Sequence, residues 1–323
     1  MRLITSLDNL PADLRGGAVT IGNFDGVHRG HARIVERLNR QAEQVGGPAI
    51  VFTFDPHPVR LLRPEVAPPP LTWTDRKVQL LTELGVSAVI AYPTDEALLS
   101  LTAEEFFQQI IRDQLDARAM VEGPNFYFGK GRTGNVERLG ELCSAAGITL
   151  EVVEPLKMGN DYVSSSRVRA AVQRGDVDEA RELLTQPYRI RGMVTHGVGR
   201  GHKLGFATAN IDAIDTLIPA IGVYAGRATL SDAGLTDKVW PAAIHIGPNP
   251  TFREQSVKVE VHLIDFSGTL YGQPLEVDFL SRLRDVVPFP SVEALKEQLT
   301  RDVQASLQIY SGGQPRGGTA PTH

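Results

Sequence analysis

Read from its amino terminus, the chain alternates short apolar runs with amphipathic stretches at helical spacing. AVTIG (Ala18 to Gly22) reads as a buried strand and is followed by a glycine-rich turn. ARIVERLNRQAEQVGG then places Ile34, Val35, Leu38, Ala42 and Val45 on one helical face, with Gly46 as its stop. AIVFTF (Ala49 to Phe54) is the next apolar run, and DRKVQLLTELG is a helix with Val78, Leu81 and Leu84 on one face, ended by Gly85. SAVIAYP, RAMVEG and ITLEVVE bring the strand-like runs to five. Among them, Thr102 and Glu105 make a capping-box pair ahead of FFQQIIRDQL, and NVERLGELCSAAG gives a further helix. Strands alternating with helices predict an α/β domain, a parallel sheet covered on both faces. Such sheets bind ligands at the carboxyl ends of their strands.

After Val163 come two short helical patterns, SSSRVRAAVQRG and DVDEARELL. From Tyr188 the texture changes to strand-like runs separated by turn residues: YRIRGMVTHG, GVYAGRATL, VWPAAIHIG, VKVEVHLIDF and LEVDFL. That spacing predicts a small antiparallel β-barrel. SVEALKEQLTRDVQASLQIY closes it as a helix, with Ser291 suited to the N-cap and Glu293 to the first turn. The 323 residues therefore divide into an α/β domain over 1–186 and an all-β domain over 187–310. The Gly- and Pro-rich tail 311–323 reads as disordered.

Composition narrows the partners. Hydrophobic residues make up 42% and charged residues 22%, ordinary values for a globular chain. The net charge of -5 gives no basic excess, so no nucleic-acid partner is expected, and an anionic ligand must be held by local groups. No apolar run approaches the roughly 18 residues needed to span a bilayer, and MRLITSLDNLPADL lacks a signal-peptide core, so a cytoplasmic protein without a membrane partner is expected. The single cysteine, Cys143, lies in a helical pattern and reads as core rather than nucleophile. Oligomeric state is left open.

The strongest chemical signal of the first domain is VTIGNFDGVHRGHARIVERL. His28 and His31 stand three apart at the mouth of a helix that follows a buried strand. A helix start offers free backbone N–H groups and the positive end of a dipole, which favour phosphate. Gly22, Gly26 and Gly30 permit close approach of the backbone. Adenylyl transfer needs such a place: no covalent intermediate, only positioning and charge stabilisation of an α-phosphate. Taken alone, the string fits equally a helix end with two solvent-exposed histidines. A zinc site of the HExxH kind is disfavoured by the spacing and by the lack of an intervening acid.

In the second domain, THGVGRGHKLGFATANI carries Gly197, Gly199, Gly201 and Gly205 interleaved with Arg200, His202 and Lys203, a loop suited to cradling phosphates. Thr208 and Asn210, two apart in an extended segment, share a face and offer hard oxygens of the kind Mg²⁺ takes. In VKVEVHLIDF, Val257, Val259, Val261 and Leu263 are expected to point inward, leaving Glu260 and His262 on the other face. On pattern alone Glu260 is a solvated strand residue, but the chemistry of a filled small barrel must lie outside it or at a rim.

GNFDGVHRGH resembles the H-x-G-H nucleotidyltransferases, and more narrowly the FMN adenylyltransferase module of bacterial bifunctional riboflavin kinase/FAD synthetases. The likeness continues through FTFDPHP, GPNFYFGKGRTG and VSSSRVRAAVQRGDV. It implies that His28 and His31 contact ATP phosphates and that Asn23, Phe24, Asp25 and Gly26, with Gly22, shape the nucleotide pocket. It further implies that Ser164, Ser165 and Arg169 close over the triphosphate, with Ser166 replacing the usual Thr. Phe54, His57 and Asn125 would face the flavin, Asn125 standing where a common family form has Asp. GFATAN, GVYAG, IGPNPTF, VEVHLIDF and LYG resemble, in that order, the riboflavin kinase module. There the likeness implies Thr208 and Asn210 for Mg²⁺ and ATP phosphates and Glu260 as the base on the ribityl hydroxyl; Gly199 and Lys203 of the glycine loop are the candidate phosphate binders. Ala207 replaces the usual Pro, and Asn249, Thr251 and Phe252 occupy another family-like loop. The expected partners are riboflavin, FMN and ATP. Three readings compete: a chain that keeps only one activity, a flavin-binding regulator without turnover, and an H-x-G-H enzyme for a different acceptor such as pantetheine phosphate, which leaves the C-terminal half unexplained.

Overall fold

The computed structural model describes residues 2–196, 205–230, 238–248 and 257–312. The chain forms two compact units, Met1–Ser165 and Ser166–His323.

The first unit is built on six parallel strands: β1 (Leu3–Ile4), β2 (Ala18–Ile21), β3 (Ala49–Asp55), β4 (Ala88–Pro93), β5 (Ala119–Glu122) and β6 (Thr149–Val152), in the order β1-β4-β3-β2-β5-β6. Between them run α1 (Arg29–Val45), α2 (Pro58–Leu62), α3 (Thr74–Glu83), α4 (Glu96–Ser100), α5 (Ala103–Phe106) and α6 (Val136–Ala146). Strand alternation sorts the core onto two faces. Val19, Ile21, Ile50, Phe52, Ala88, Ile90 and Met120 pack in one cluster. Ala18, Ala49, Val51, Val89, Ala119 and Val121 pack in the other, against Val35, Leu38 and Ala42 of α1. Cys143 lies in the first cluster, 1% exposed, and burial pushes its thiol up to about 11, as expected of a core residue.

The predicted elements recur with physical departures. Gly46 caps α1 in the left-handed region, and Thr102 and Glu105 form the full capping box. α5 continues as a π-helix over Phe107–Gln114, a widening that residue spacing did not signal. β1, only two residues long, is too short to carry a pattern.

The chain order reverses between β2 and β5. β2, β3 and β4 are laid out in one direction, and β5 and β6 in the other. A crevice at the carboxyl end of the strands is expected at that switch point, and α1 begins there.

After the hairpin β7 (Lys157–Met158) and β8 (Asp161–Tyr162) come α7 (Ser165–Arg174) and α8 (Val177–Leu183). The second unit is a closed antiparallel barrel of β9 (Tyr188–Thr195), β10 (Ala209–Asp212), β11 (Gly222–Leu230), β12 (Lys238–Gly247), β13 (Lys258–Leu263) and β14 (Pro274–Arg284), in the order β10-β13-β12-β11-β14-β9. The expected small barrel thus gains β10, which sequence reading treated as an extended segment. The closing helix, α9, covers Val292–Gly312, and Ser291 caps it by accepting from the Ala294 N–H. It therefore runs two residues into the segment expected to be a disordered tail, and 313–323 lie outside the described residues.

Alternation holds in β13, where Val259, Val261 and Leu263 are buried. Val257 is a correction: it precedes the strand and is 58% exposed. On the barrel, Asp278 is 1% exposed between Arg189 and Arg227 on the flanking strands. Burial alone would raise its pKa, but the two guanidiniums outweigh burial and hold the carboxylate ionised.

Candidate active sites

In the first unit, the turn from Gly22 to His28 joins β2 to α1 at the switch point. Phe24, Gly26 and Val27 all adopt positive φ, at 48°, 82° and 42°. A β-branched residue there is strained, and the surroundings must hold it. The holding groups are identifiable. The Asp25 carboxylate accepts from the backbone N–H groups of Leu71 and Thr72 at 3.0–3.1 Å and from the Thr72 hydroxyl at 3.3 Å. The Gly26 N–H donates to Thr72 Oγ1 at 3.2 Å, and Ser165 Oγ donates to the Asp25 carbonyl at 2.9 Å. Asp25 was expected in the nucleotide pocket; its carboxylate is engaged in fixing the turn. Phe24, 3% exposed, packs its ring 4.8 Å from that of His31.

His28 is the N-cap of α1. Its Nδ1 accepts from the His31 N–H at 3.3 Å, so in the neutral ring the proton sits on Nε2. The two imidazoles stack with centroids 3.6 Å apart. Burial lowers the His28 pKa to about 4 and holds His31 well below the ordinary value. Both rings are therefore neutral N–H donors near pH 7, not cations. Gly30 has a reason to lack a side chain: a Cβ there would lie 3.1 Å from the His28 ring. Among the described residues, His31 Nδ1 and the Asn23 side-chain oxygen are buried without a hydrogen-bond partner.

Three buried ionisable residues of this unit were not singled out by sequence reading. Glu122, at the end of β5, is 2% exposed and accepts from the Ile21 N–H at 2.7 Å, extending the β2–β5 pairing with a side chain. Burial raises its carboxyl well above the usual range. Arg76 and Lys77 of α3 are buried at 6% and 8% exposure, although their helix reads as one with a polar outer face.

The expected flavin-side residues also lie at or beyond the carboxyl ends of β3 and β5. Phe54, half-buried near the end of β3, is 5.5 Å from Phe52, which continues through Phe106 and Phe128 to Phe126. His57 caps α2, its Nδ1 accepting from the Val59 N–H at 3.0 Å. Asn125 is exposed in the turn that follows β5. Ser164 precedes α7 and Arg169 lies within it, one on each side of the division between the units.

In the barrel, register rather than sequence distance assembles the site. Glu260 pairs across to Asn210 on one side and to His245 on the other. The three side chains thus form a row on the outer face, opposite the buried Val259 and Val261. His245 Nδ1 is 3.6 Å from Glu260 Oε2. His245 was not foreseen; the sheet register that brings it to Glu260 is not written in local spacing. Thr208 is exposed just before β10, two residues from Asn210. At Ala207, where a proline would fix φ, His262 Nδ1 instead lies 2.7 Å from the backbone carbonyl. Gly199 and Lys203, with Asn249, Thr251 and Phe252, lie outside the described residues.

Residues 10–167 match the FAD synthetase family and residues 184–310 the riboflavin kinase family. A bifunctional riboflavin kinase/FMN adenylyltransferase of Pseudomonas fluorescens is 37% identical over 310 residues, covering 96% of this chain and 98% of its own. The enzyme of that description from Escherichia coli K12 is 33% identical over 316 residues, covering 98% and 100%. A crystal structure described as a macrolide-efflux protein from Streptococcus pneumoniae matches at a TM-score of 0.82 and 29% identity, over 94% of this chain and 98% of that one. Among the described residues no helix is long and apolar enough to cross a membrane. With both family matches in order and identity sustained over nearly the whole length, the chain belongs to the bifunctional riboflavin kinase/FMN adenylyltransferase family.

Proposed function

We propose the following division of labour between the two units. The chain is a bifunctional enzyme that phosphorylates riboflavin with ATP to FMN, then joins FMN to AMP from a second ATP to give FAD and pyrophosphate. The kinase reaction belongs to the barrel, 187–310, and adenylyl transfer to the α/β portion, 1–186. The observation that carries this reading is the presence of two separately built polar sites, one at the start of α1 and one on the row Asn210–Glu260–His245.

In adenylyl transfer an FMN phosphate oxygen attacks the α-phosphorus of ATP and pyrophosphate leaves. The neutral His28 and His31 serve as N–H donors to the phosphates at the start of α1, where the helix dipole adds to their effect. Asp25, Thr72 and Ser165 keep the turn in its strained shape. Ser164 and Arg169 are assigned to the triphosphate, and Phe54, His57 and Asn125 to the flavin. In the kinase reaction Glu260 accepts the proton of the ribityl 5′-hydroxyl as that oxygen attacks the γ-phosphorus. Thr208 and Asn210 fit Mg²⁺, since a hydroxyl and an amide oxygen beside a carboxylate are the hard donors it prefers. Bound Mg²⁺ supplies charge neutralisation to the phosphates. A cytoplasmic location accords with a demand for ATP in both steps.

The test is a time course with purified protein, riboflavin, ATP and Mg²⁺, the flavins being separated chromatographically. FMN should rise first and FAD follow, with ADP and pyrophosphate released in step, and chelation of Mg²⁺ should stop the kinase reaction. Absence of both ADP release with riboflavin and pyrophosphate release with supplied FMN would identify a flavin-binding regulator. FMN without FAD, or FAD only from supplied FMN, would identify a chain with one activity.

A further inference from the structure

Lys77 is a buried lysine whose donors the described residues do not satisfy. It lies on α3 beside Val78, Leu80 and Leu81 and is 8% exposed. An ammonium group has three donors. Among the described residues its only hydrogen bond is a long one, 3.4 Å to Thr53 Oγ1, and it has no carboxylate at ion-pair distance. The nearby acids are committed elsewhere: Asp25 to Leu71 and Thr72, and Asp55 to the Thr74 hydroxyl at 2.7 Å. Burial lowers the Lys77 pKa, and Asp25 and Asp55 offset this in part.

Its position explains the cost. Thr53 Oγ1 donates onward to the Asn23 carbonyl at 3.2 Å, which ties Lys77 to the turn that carries the histidines. Among the described residues, the Asn23 side-chain oxygen on that turn and His31 Nδ1 in the first turn of α1 are also buried without partners. Buried charges are ordinarily paired, and unsatisfied buried polar atoms are rare. An anion arriving at the start of α1 would meet the unmet donors of Lys77.

We propose that Lys77 is a phosphate-binding residue of the adenylyl-transfer site, its ammonium meeting the ATP phosphates beside His31. This rests on the reading of the first unit as the adenylyltransferase. As the FMN phosphate oxygen bonds to the α-phosphorus, the bond to pyrophosphate breaks and its electron pair leaves on pyrophosphate. Lys77 balances that charge and exchanges no proton.

The test uses the full chain with Lys77→Met and Lys77→Arg. Lys77→Met should lower kcat/KM for ATP in FAD synthesis from FMN by about 10²- to 10³-fold and weaken inhibition by added pyrophosphate by about tenfold or more. Lys77→Arg, keeping the charge, should recover most of both. Riboflavin phosphorylation, measured in the same samples, should stay at the wild-type rate. Wild-type FAD synthesis and pyrophosphate inhibition in Lys77→Met would overturn the proposal. So would equal losses in Met and Arg variants with pyrophosphate inhibition unchanged, since a purely structural lysine behaves that way. A His28→Ala/His31→Ala variant separates the two levels. If it still makes FAD, the reading of the site fails; if it is inactive while Lys77→Met is normal, only the role of Lys77 fails.

Discussion

At the scale of single residues, burial changes what a titratable group can do. His28 and His31 are neutral donors because they are desolvated, and the His28 tautomer is set by the His31 N–H. Burial likewise raises the Glu122 carboxyl well above its ordinary 4.5 and favours its neutral form. The sign of its effect on stability follows. Above pH 4.5 the unfolded chain loses this proton and the folded one keeps it, so stability falls as pH rises toward the folded pKa. Glu122→Gln keeps an oxygen for the Ile21 N–H and cannot ionise. It should raise the thermal unfolding midpoint of the first unit at pH 8, and the gain should shrink toward pH 5. A pH-independent difference in melting scans would show that Glu122 is not held neutral. The histidines were legible from spacing and neighbours. Glu122, Lys77 and His245 were not, because residue type and periodicity give the face of an element but not how deeply a neighbour covers it.

At the scale of elements, the first turn of α1 joins helix formation to chemistry. Gly30 is an unfavourable residue inside a helix, and Ala there should stabilise the helix by up to about 1 kcal/mol. Yet its Cβ would press on the His28 ring at 3.1 Å. Gly30→Ala is therefore expected to leave the melting temperature equal or higher while FAD synthesis falls about tenfold through displacement of the ring. Parallel melting and initial-rate measurements decide it, and an unchanged rate would free His28 of its positional role. Long elements such as α1 and β3 announce themselves by period and stop signals. β1 and β10 do not, at two and four residues, and β10 draws its stability from pairing with β9 and β13. Val257 fell outside the sheet although it kept the alternating pattern, because alternation cannot mark where pairing ends.

At the scale of the whole molecule, a chain of net charge -5 offers no global field for anionic substrates, so the proposed function places them at two local sites. The order of the motifs made both modules legible, while the row joining Asn210, Glu260 and His245 emerged only with the barrel register. The central claim is that residues 1–186 carry adenylyl transfer and the barrel, 187–310, carries the kinase reaction. It is tested most directly by measuring both half-reactions, riboflavin to FMN and FMN to FAD, in two variants against the wild type. Glu260→Gln should slow the first by about 10²- to 10⁴-fold and leave the second unchanged. His28→Ala/His31→Ala should do the reverse, converting riboflavin to FMN at the wild-type rate and accumulating it. Loss of both half-reactions in either folded variant, or FAD synthesis at the wild-type rate without the two histidines, would contradict the account.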